Sequence, residues 1–158
     1  MGLILNIETS TKTCSVNLSK NGKSLGINEI TSDKYVHGEK LHLLIKDLFK
    51  SLNHSLKKLD AVAVSAGPGS FTGLRIGIAT AKGVAFGLDI PLISMNSLKI
   101  MMNCYHYKST DNNALFFPMI DARRREVYTA GYNSQKKQIT EIACQEINLK
   151  FLKKYENY

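Results

Sequence analysis

The feature that most constrains this sequence is a glycine-rich segment between a short apolar run and a long helix-forming run. Residues 61–65 (AVAVS) have the length and composition of a buried strand, and residues 67–77 (GPGSFTGLRIG) follow almost directly. Small residues then continue to about Gly87 in a helical pattern. A strand that leads through a glycine-rich turn to a helix N-terminus can bind an anion with backbone N–H groups and the helix dipole. The segment therefore predicts an α/β protein with a candidate phosphate-binding loop.

Three familiar uses of such a loop do not match the spacing. A Walker phosphate loop requires GK[ST], which does not follow here. A dinucleotide-binding fingerprint requires GxGxxG, whereas Gly67, Gly69 and Gly73 give GxGxxxG with a proline inside. A nucleophile elbow requires GxSxG, and Ser70 has no glycine two positions later. Ser70 and Thr72 are therefore predicted to be helix caps rather than nucleophiles.

The helix after the loop has a small residue at every fourth position: Gly73, Gly77, Ala81 and Ala85. Glycine inside a helix is less favourable than alanine by about 0.5–1 kcal/mol. The pattern therefore indicates that another element approaches the helix backbone closely. That element is the chain's own sheet, a helix of a partner protein, or both, because a helix has two sides.

The segments before the glycine-rich loop predict strands and one amphipathic helix. Residues 3–7 and the alternating residues 14–19 are typical of strands, and Asn21-Gly22 favours a type I′ hairpin into a third strand at residues 24–30. A helix follows, and its apolar stripe consists of Leu41, Leu44, Ile45, Leu48, Phe49 and Leu52. With a strand at residues 91–94 and a helix from Asn96 or Ser97 to Tyr105, the order β-β-β-α-β-α-β-α predicts one mixed sheet.

A polar stretch at residues 108–113 predicts a linker between two units. The first unit then covers residues 1–107 and the second covers residues 114–158. In the second unit, the pattern favours strands at residues 114–120, 127–132 and 139–144, followed by a short helix at residues 149–155. A unit of this kind lacks a long helix and therefore looks incomplete.

Composition excludes several classes of protein. The 158 residues include 44% hydrophobic residues, and the longest apolar runs fall short of the roughly 20 residues of a membrane span, so we expect a soluble, cytoplasmic protein. The net charge of +8 comes from 17 lysines and four arginines, of which three are adjacent at residues 123–125. A stand-alone RNA-binding module is one interpretation of that triplet, and a solvated turn is the alternative. The three cysteines and four histidines lack metal-site spacing, so no metal site is predicted.

Four segments together closely resemble the bacterial TsaB (YeaZ) family, part of the machinery that makes threonylcarbamoyladenosine in tRNA. They are residues 4–18 (ILNIETSTKTCSVNL), 37–45 (HGEKLHLLI), 67–77 (GPGSFTGLRIG) and 118–132 (PMIDARRREVYTAGY). The resemblance implies the actin-like ATPase (ASKHA, ribonuclease H-like) fold with two related α/β subdomains. Because TsaB-like chains are normally longer, it also implies that the second subdomain is shortened here.

The same resemblance implies a non-catalytic subunit. The catalytic paralogue, TsaD, holds a metal through paired histidines on a helix, whereas His37 has no second histidine four residues later and His42 replaces the family's leucine. An ASKHA ATPase uses an acidic residue in its first phosphate loop to organise Mg²⁺. Glu8 lies near that position, without an identified second acidic ligand. We therefore expect no catalytic residues, no metal and no tightly bound cofactor, although ATP or ADP could bind in the assembled complex.

Two groups of residues become candidate sites. The partner-binding group, on the predicted helices, is His37, Leu41, Leu44, Ile45, Leu48, Gly73, Arg75, Gly77 and Ala81. The candidate phosphate-binding group is Glu8, Thr9, Ser10, Gly67, Gly69, Ser70 and Thr72. The expected partners are a TsaD-like catalytic subunit, a TsaE-like ATPase and, through the complex, tRNA, with a homodimer for the isolated chain and no membrane. The alternative function is an autonomous ASKHA-type ATPase or peptidase.

Overall fold

The computed structural model describes residues 2–33, 36–105 and 113–155, which form two compact units. The first unit is Met1–Asn96 and the second is Ser97–Tyr158. No helix in this described part of the chain combines the length and apolar composition needed to cross a membrane.

A five-stranded mixed sheet forms the centre of the first unit. Its strands are β1 (Leu3–Glu8), β2 (Thr13–Lys20), β3 (Lys23–Thr31), β4 (Ala61–Ser65) and β5 (Leu92–Met95). The spatial order is β3-β2-β1-β4-β5, with antiparallel pairing among the first three and parallel pairing from β1 to β4 and from β4 to β5. The predicted mixed sheet is therefore confirmed.

The turn between β2 and β3 has the predicted type I′ character. Lys20 pairs with Lys23, which leaves Asn21 and Gly22 as the two turn residues. Both have positive φ, 54° and 77°, as this turn requires. Asparagine and glycine tolerate that conformation best, so the local sequence is enough to fix the hairpin.

Two long helices share one hydrophobic core with the sheet. They are α1 (His37–Ser51) and α2 (Phe71–Leu88), with a 3₁₀ turn at Leu56–Lys58 between them. Alternate residues of β1, β2 and β4 face this core because side chains along a strand point to opposite sides. The buried residues include Leu5, Ile7, Val16, Leu18, Leu41, Ile45, Leu48, Val62, Val64 and Ala81.

Cys14 is one of these core residues and is completely buried. Burial raises the pKa of its thiol to about 11, because the apolar surroundings disfavour the thiolate. Cys14 therefore acts as a small buried hydrophobe.

The second unit contains a three-stranded antiparallel sheet and two short helices. Its elements are α3 (Ser97–Cys104), β6 (Met119–Arg123), β7 (Glu126–Thr129), β8 (Ala143–Glu146) and α4 (Leu149–Lys154). Leu98 and Met102 of α3 pack in one core with Ile120, Ala130 and Tyr132.

This core moves the boundary between the units to Asn96 and Ser97, earlier than the predicted residue 107. The helix α3 groups with the second unit because its apolar side chains are buried there rather than under the first sheet. The predicted linker, apart from Asn113, lies outside the described residues. The strand predicted at residues 114–120 begins only at Met119, and the strand predicted at residues 139–144 begins only at Ala143.

Candidate functional site

Two loops meet at the carboxyl ends of the adjacent parallel strands β1 and β4. The first loop, residues 9–12, follows β1, and the second loop, residues 66–70, joins β4 to the start of α2. The Ser70 N–H donates a hydrogen bond of 2.7 Å to the Ser10 carbonyl oxygen. The structure thus brings together the two halves of the predicted phosphate-binding group.

The Glu8 carboxylate joins the first loop to strand β4. Its Oε1 accepts hydrogen bonds from the Ser10 N–H at 2.7 Å and from the Ser65 hydroxyl at 2.9 Å. The Ser65 oxygen in turn accepts the Thr9 N–H at 3.4 Å. One carboxylate oxygen is thereby committed to holding the first loop in place.

Three glycines allow the second loop and α2 to lie against the first loop. A Cβ atom added at Gly69 would overlap the backbone of Ser10, and one added at Gly73 would overlap the Thr9 carbonyl oxygen. A Cβ atom at Gly77 would overlap the Thr9 hydroxyl oxygen. The close approach indicated by the sequence is therefore to the chain's own first loop. In this structure the first loop occupies the groove beside these glycines, which is where a partner helix was also predicted to lie.

Ser70 is the N-cap of α2, as predicted. Its hydroxyl oxygen accepts the Gly73 N–H at 3.2 Å, and its own carbonyl accepts the Leu74 N–H at 2.8 Å. The bond to the hydroxyl satisfies one of the free amide groups at the helix start. The prediction that Thr72 is also a cap is wrong, because Thr72 lies exposed inside the first turn.

The internal contacts determine what the two loops can do chemically. The N–H groups of Thr9, Ser10, Ser70 and Gly73 all donate to atoms of the same chain. In a phosphate-binding loop, amides of this kind would point at the anion instead. The Thr9 Oγ1 is buried without a hydrogen-bond partner among the described residues, and it fills the space beside the Gly77 backbone. The geometry is that of a structural junction.

Most of the predicted partner-binding group lies in the core of the first unit. On α1, the side chains that face the sheet are Leu41, Ile45 and Leu48, and Leu44 is half-buried. On α2, the residues that face the sheet or the first loop are Gly73, Gly77 and Ala81. His37 is also buried, with its Nε2 at 3.0 Å from the Thr11 carbonyl oxygen. These stripes are apolar because they pack inside the chain, so of this group only Arg75 lies on an exposed surface.

The surface opposite the buried stripe of α2 is the feature that sequence reasoning missed. We call it the outer face of α2; it consists of Phe71, Arg75, Ala79, Lys82 and Phe86. Phe71 is 68% exposed and Phe86 is 91% exposed, and the Arg75 guanidinium lies 4.0 Å from the centre of the Phe71 ring. The signal in the sequence is the spacing of Phe71, Arg75 and Phe86, which places two aromatic residues and an arginine on one face of the helix.

Two more glycines of α2 behave differently from Gly73 and Gly77. A Cβ atom at Gly83 or Gly87 would meet no other atom within 4 Å. These glycines adjoin Phe86 and leave the backbone beside it uncovered. Glycine at these positions destabilises the helix relative to alanine, and no packing contact within the described part of the chain offsets that loss.

Groups of three or more His, Cys, Asp or Glu side chains that could hold a metal ion do not occur among the described residues. His37 and His42 lie on different faces of α1, one buried and one exposed, as their spacing predicts.

Comparison with known proteins identifies the family. The family model described as TsaD, tRNA N6-adenosine threonylcarbamoyltransferase, matches residues 28–155. The tRNA threonylcarbamoyladenosine biosynthesis protein TsaB of Haemophilus influenzae is 36% identical over 125 residues, which cover 79% of this chain and 51% of that protein. The chain belongs to the TsaB (YeaZ) family. TsaB of Escherichia coli is 35% identical over 136 residues, which cover 86% of this chain and 57% of that protein.

A solved TsaB-family structure supports the same conclusion. YeaZ from Pseudomonas aeruginosa superposes with a TM-score of 0.77 at 30% identity, over 91% of this chain and 67% of that one. With the mixed sheet and its flanking helices, this confirms the predicted actin-like ASKHA fold. The chain spans little more than half the length of the curated TsaB relatives it matches.

Proposed function

We propose that this chain is a non-catalytic partner subunit in the formation of threonylcarbamoyladenosine in tRNA. In this proposal it binds a TsaD-like catalytic subunit through the outer face of α2 and the adjacent exposed side of α1. The names of the TsaB relatives and the match to the TsaD family model support the pathway. The exposed side chains of α2 support the docking surface.

The observation that carries the proposal is the exposure of Phe86. Phe86 is 91% exposed and lies one turn from Gly83 and next to Gly87. Its large apolar side chain is therefore beside helix backbone that no side chain covers. Aromatic and arginine side chains are the residues that most often dominate the energy of protein interfaces. Small residues also allow a partner helix to approach at the short end of the usual range of about 8–10 Å between helix axes. Phe71 and Arg75, stacked at the start of the helix, extend the same surface.

The closed loops support the non-catalytic role. A hydrolytic ATPase of this fold would need the Glu8 carboxylate and the loop amides for magnesium and phosphate. Here Glu8 Oε1 accepts two internal hydrogen bonds, and the Ser70 amide binds Ser10. We expect that another subunit helps to hold any ATP or ADP in the assembly. We also expect that a TsaE-like ATPase joins the same complex and that tRNA binds to the complex.

A homodimer of the isolated chain would use the same apolar surface. Two copies could bury their Phe86 side chains against each other in the absence of a partner. We therefore expect the TsaD-like subunit to compete with self-association. Light scattering of the chain with and without that subunit measures this competition.

The test compares two exposed apolar residues of the first unit. Phe86→Ala removes the centre of the proposed surface, whereas Ile27→Ala removes a side chain that is 56% exposed on strand β3. A central interface aromatic contributes about 2 kcal/mol or more, so Phe86→Ala should weaken binding to the TsaD-like subunit of the same organism about 30-fold or more. Ile27→Ala should leave the Kd unchanged, and calorimetric titration gives both values. Equal effects of the two variants would exclude this surface.

Activity distinguishes the proposal from the alternative function. With a TsaD-like subunit, a TsaE-like ATPase, ATP, threonylcarbamoyl-adenylate and tRNA, product formation should require this chain and should fall with Phe86→Ala. Undiminished product without the chain would refute the proposal. ATP turnover by the purified chain that is lost in Glu8→Ala, or peptide cleavage lost in Ser70→Ala, would establish an autonomous enzyme instead.

A further inference from the structure

The turn between β6 and β7 consists of arginines in an unfavourable backbone conformation. Arg123 pairs with Glu126, which leaves Arg124 and Arg125 as the two turn residues. All three arginines have positive φ, 69°, 52° and 66°, and the strand register shifts between Asp121 and Arg123. Side chains with a Cβ atom rarely adopt this left-handed region outside asparagine and aspartate. We call residues 123–125 the arginine tip.

The same chain contains a hairpin of the same kind that is built from favourable residues. The β2–β3 turn has two residues with positive φ, and they are Asn21 and Gly22. Arg124 and Arg125 occupy the corresponding positions in the β6–β7 turn. Turn formation therefore does not explain the choice of arginine. Strained residues of this kind persist where the surroundings or a function require them.

The positive charge of the arginine tip is available to a partner. All three arginines are exposed, and none of them forms an ion pair with any residue that the structure describes. Asp121 binds the tip through the backbone, with its Oδ1 accepting the Arg123 N–H at 2.8 Å. Glu126 directly follows the turn as the strand partner of Arg123, and it pairs in turn with Glu146 of β8, so two acidic residues lie next to the tip.

We propose that the arginine tip binds the phosphate backbone of the tRNA substrate when the chain is part of the complex with the TsaD-like subunit. This inference rests on the proposed function, because the complex determines which RNA is presented. Guanidinium groups donate paired hydrogen bonds to phosphate oxygens, and their planar shape lowers the conformational freedom lost per hydrogen bond. The contact positions the RNA without reading its sequence.

Three variants separate the charge of the tip from its backbone strain. Arg124→Asn with Arg125→Gly copies the residues of the β2–β3 turn and removes two charges. Arg124→Lys with Arg125→Lys keeps the charges and the strain. The matched control, Lys57→Gln with Lys58→Gln, removes two adjacent exposed charges from the 3₁₀ turn of the first unit. Each is titrated first with the TsaD-like subunit alone, and the complex is then titrated with an unmodified tRNA transcript at several salt concentrations.

The Asn-Gly variant should bind the TsaD-like subunit normally and should weaken binding of the tRNA transcript about tenfold at low salt. The slope of log K against log salt should fall by about one for each lost phosphate contact. The lysine variant should keep most of the slope, and the Lys57/Lys58 control should stay within about twofold of the wild type. Equal tRNA affinity of the Asn-Gly variant and the control would overturn the inference while leaving the proposed function intact.

Other outcomes are also decisive. If the Asn-Gly variant loses affinity for the TsaD-like subunit in the RNA-free titration but not for tRNA, the tip is a protein contact and the RNA inference is wrong. If the wild-type chain does not bind the TsaD-like subunit at all, the proposed function fails, and the inference, which rests on the complex, falls with it.

Discussion

The contact between Gly77 and Thr9 gives a prediction that the structure makes quantitative. A Cβ atom on Gly77 would overlap the Thr9 hydroxyl oxygen and lie 3.2 Å from its Cβ and 3.3 Å from its Cγ2. Overpacking a buried contact of this kind costs about 1–3 kcal/mol. Alanine also favours the helix over glycine by about 0.5–1 kcal/mol. Gly77→Ala should therefore lower the free energy of unfolding by up to about 2.5 kcal/mol.

Gly83→Ala is the matched control, because it adds the same methyl group to the same helix. Nothing lies within 4 Å of a Cβ atom at Gly83, so only the helix preference changes. This variant should raise the free energy of unfolding by about 0.5–1 kcal/mol. The difference between the two variants isolates the overpacking as about 1–3 kcal/mol. Urea unfolding followed by circular dichroism measures both values.

Thr9→Ala combined with Gly77→Ala identifies the atoms responsible. The first substitution removes Oγ1 and Cγ2, and Oγ1 has no hydrogen-bond partner among the described residues. The double variant should be more stable than the sum of the single effects predicts, with a coupling of at least about 0.5 kcal/mol. Equal stabilities of Gly77→Ala and Gly83→Ala would refute the argument, because Gly77 would then face open space.

Three further predictions concern other parts of the chain. Ser70→Ala should lower the free energy of unfolding by about 1 kcal/mol, measured by urea unfolding, because the N-cap hydrogen bond to Gly73 is lost. In the unfolded chain the Cys14 thiol ionises near its ordinary pKa, whereas in the folded chain burial raises that pKa to about 11. The unfolded state therefore loses the proton first, and the free energy of unfolding should fall as the pH rises from about 9 towards 11. Cys14→Ala should remove that part of the alkaline loss in unfolding titrations at several pH values. Arg124→Asn with Arg125→Gly should raise the free energy of unfolding by about 1 kcal/mol or more in the absence of RNA, because the left-handed conformation is relieved; an unchanged value would show that the turn is not strained.

The sequence predicted the first unit well because its signals are local. The Asn21-Gly22 turn, the alternation around Cys14 and the buried segment Ala61–Ser65 each need only a few neighbouring residues to be understood. The second unit was predicted less well. Its strands β6 and β8 begin several residues after the predicted starts, and their positions depend on pairing with β7 rather than on the local pattern. Helix α3 was predicted, but its membership of the second unit was not. The residues that pack against Leu98 lie far along the chain, in and beyond β6.

The candidate phosphate loops show the same limit. The family resemblance grouped Glu8 and Ser10 with Gly69 and Ser70 as a candidate phosphate-binding site, and the structure places the two loops in contact. The sequence could not show that the two loops fill each other's space, because that depends on where β1 places Thr9 relative to α2. The predicted partner-binding stripe meets a related limit: an apolar or small helix face looks the same in sequence whether it contacts the chain's own sheet or another protein.

The two faces of α2 make separable contributions, and this allows the docking proposal to be tested against the fold. The inner face, with Gly77 and Ala81, is fixed by the first loop and the sheet, so changes there should lower stability without altering the affinity of the molecules that remain folded. The outer face, with Phe86 and Arg75, has few contacts to lose, so changes there should lower partner affinity at constant stability. If Gly77→Ala weakens binding to the TsaD-like subunit under conditions where it is fully folded, the two faces are coupled, and docking must depend on the position of the first loop as well as on the exposed aromatic residues.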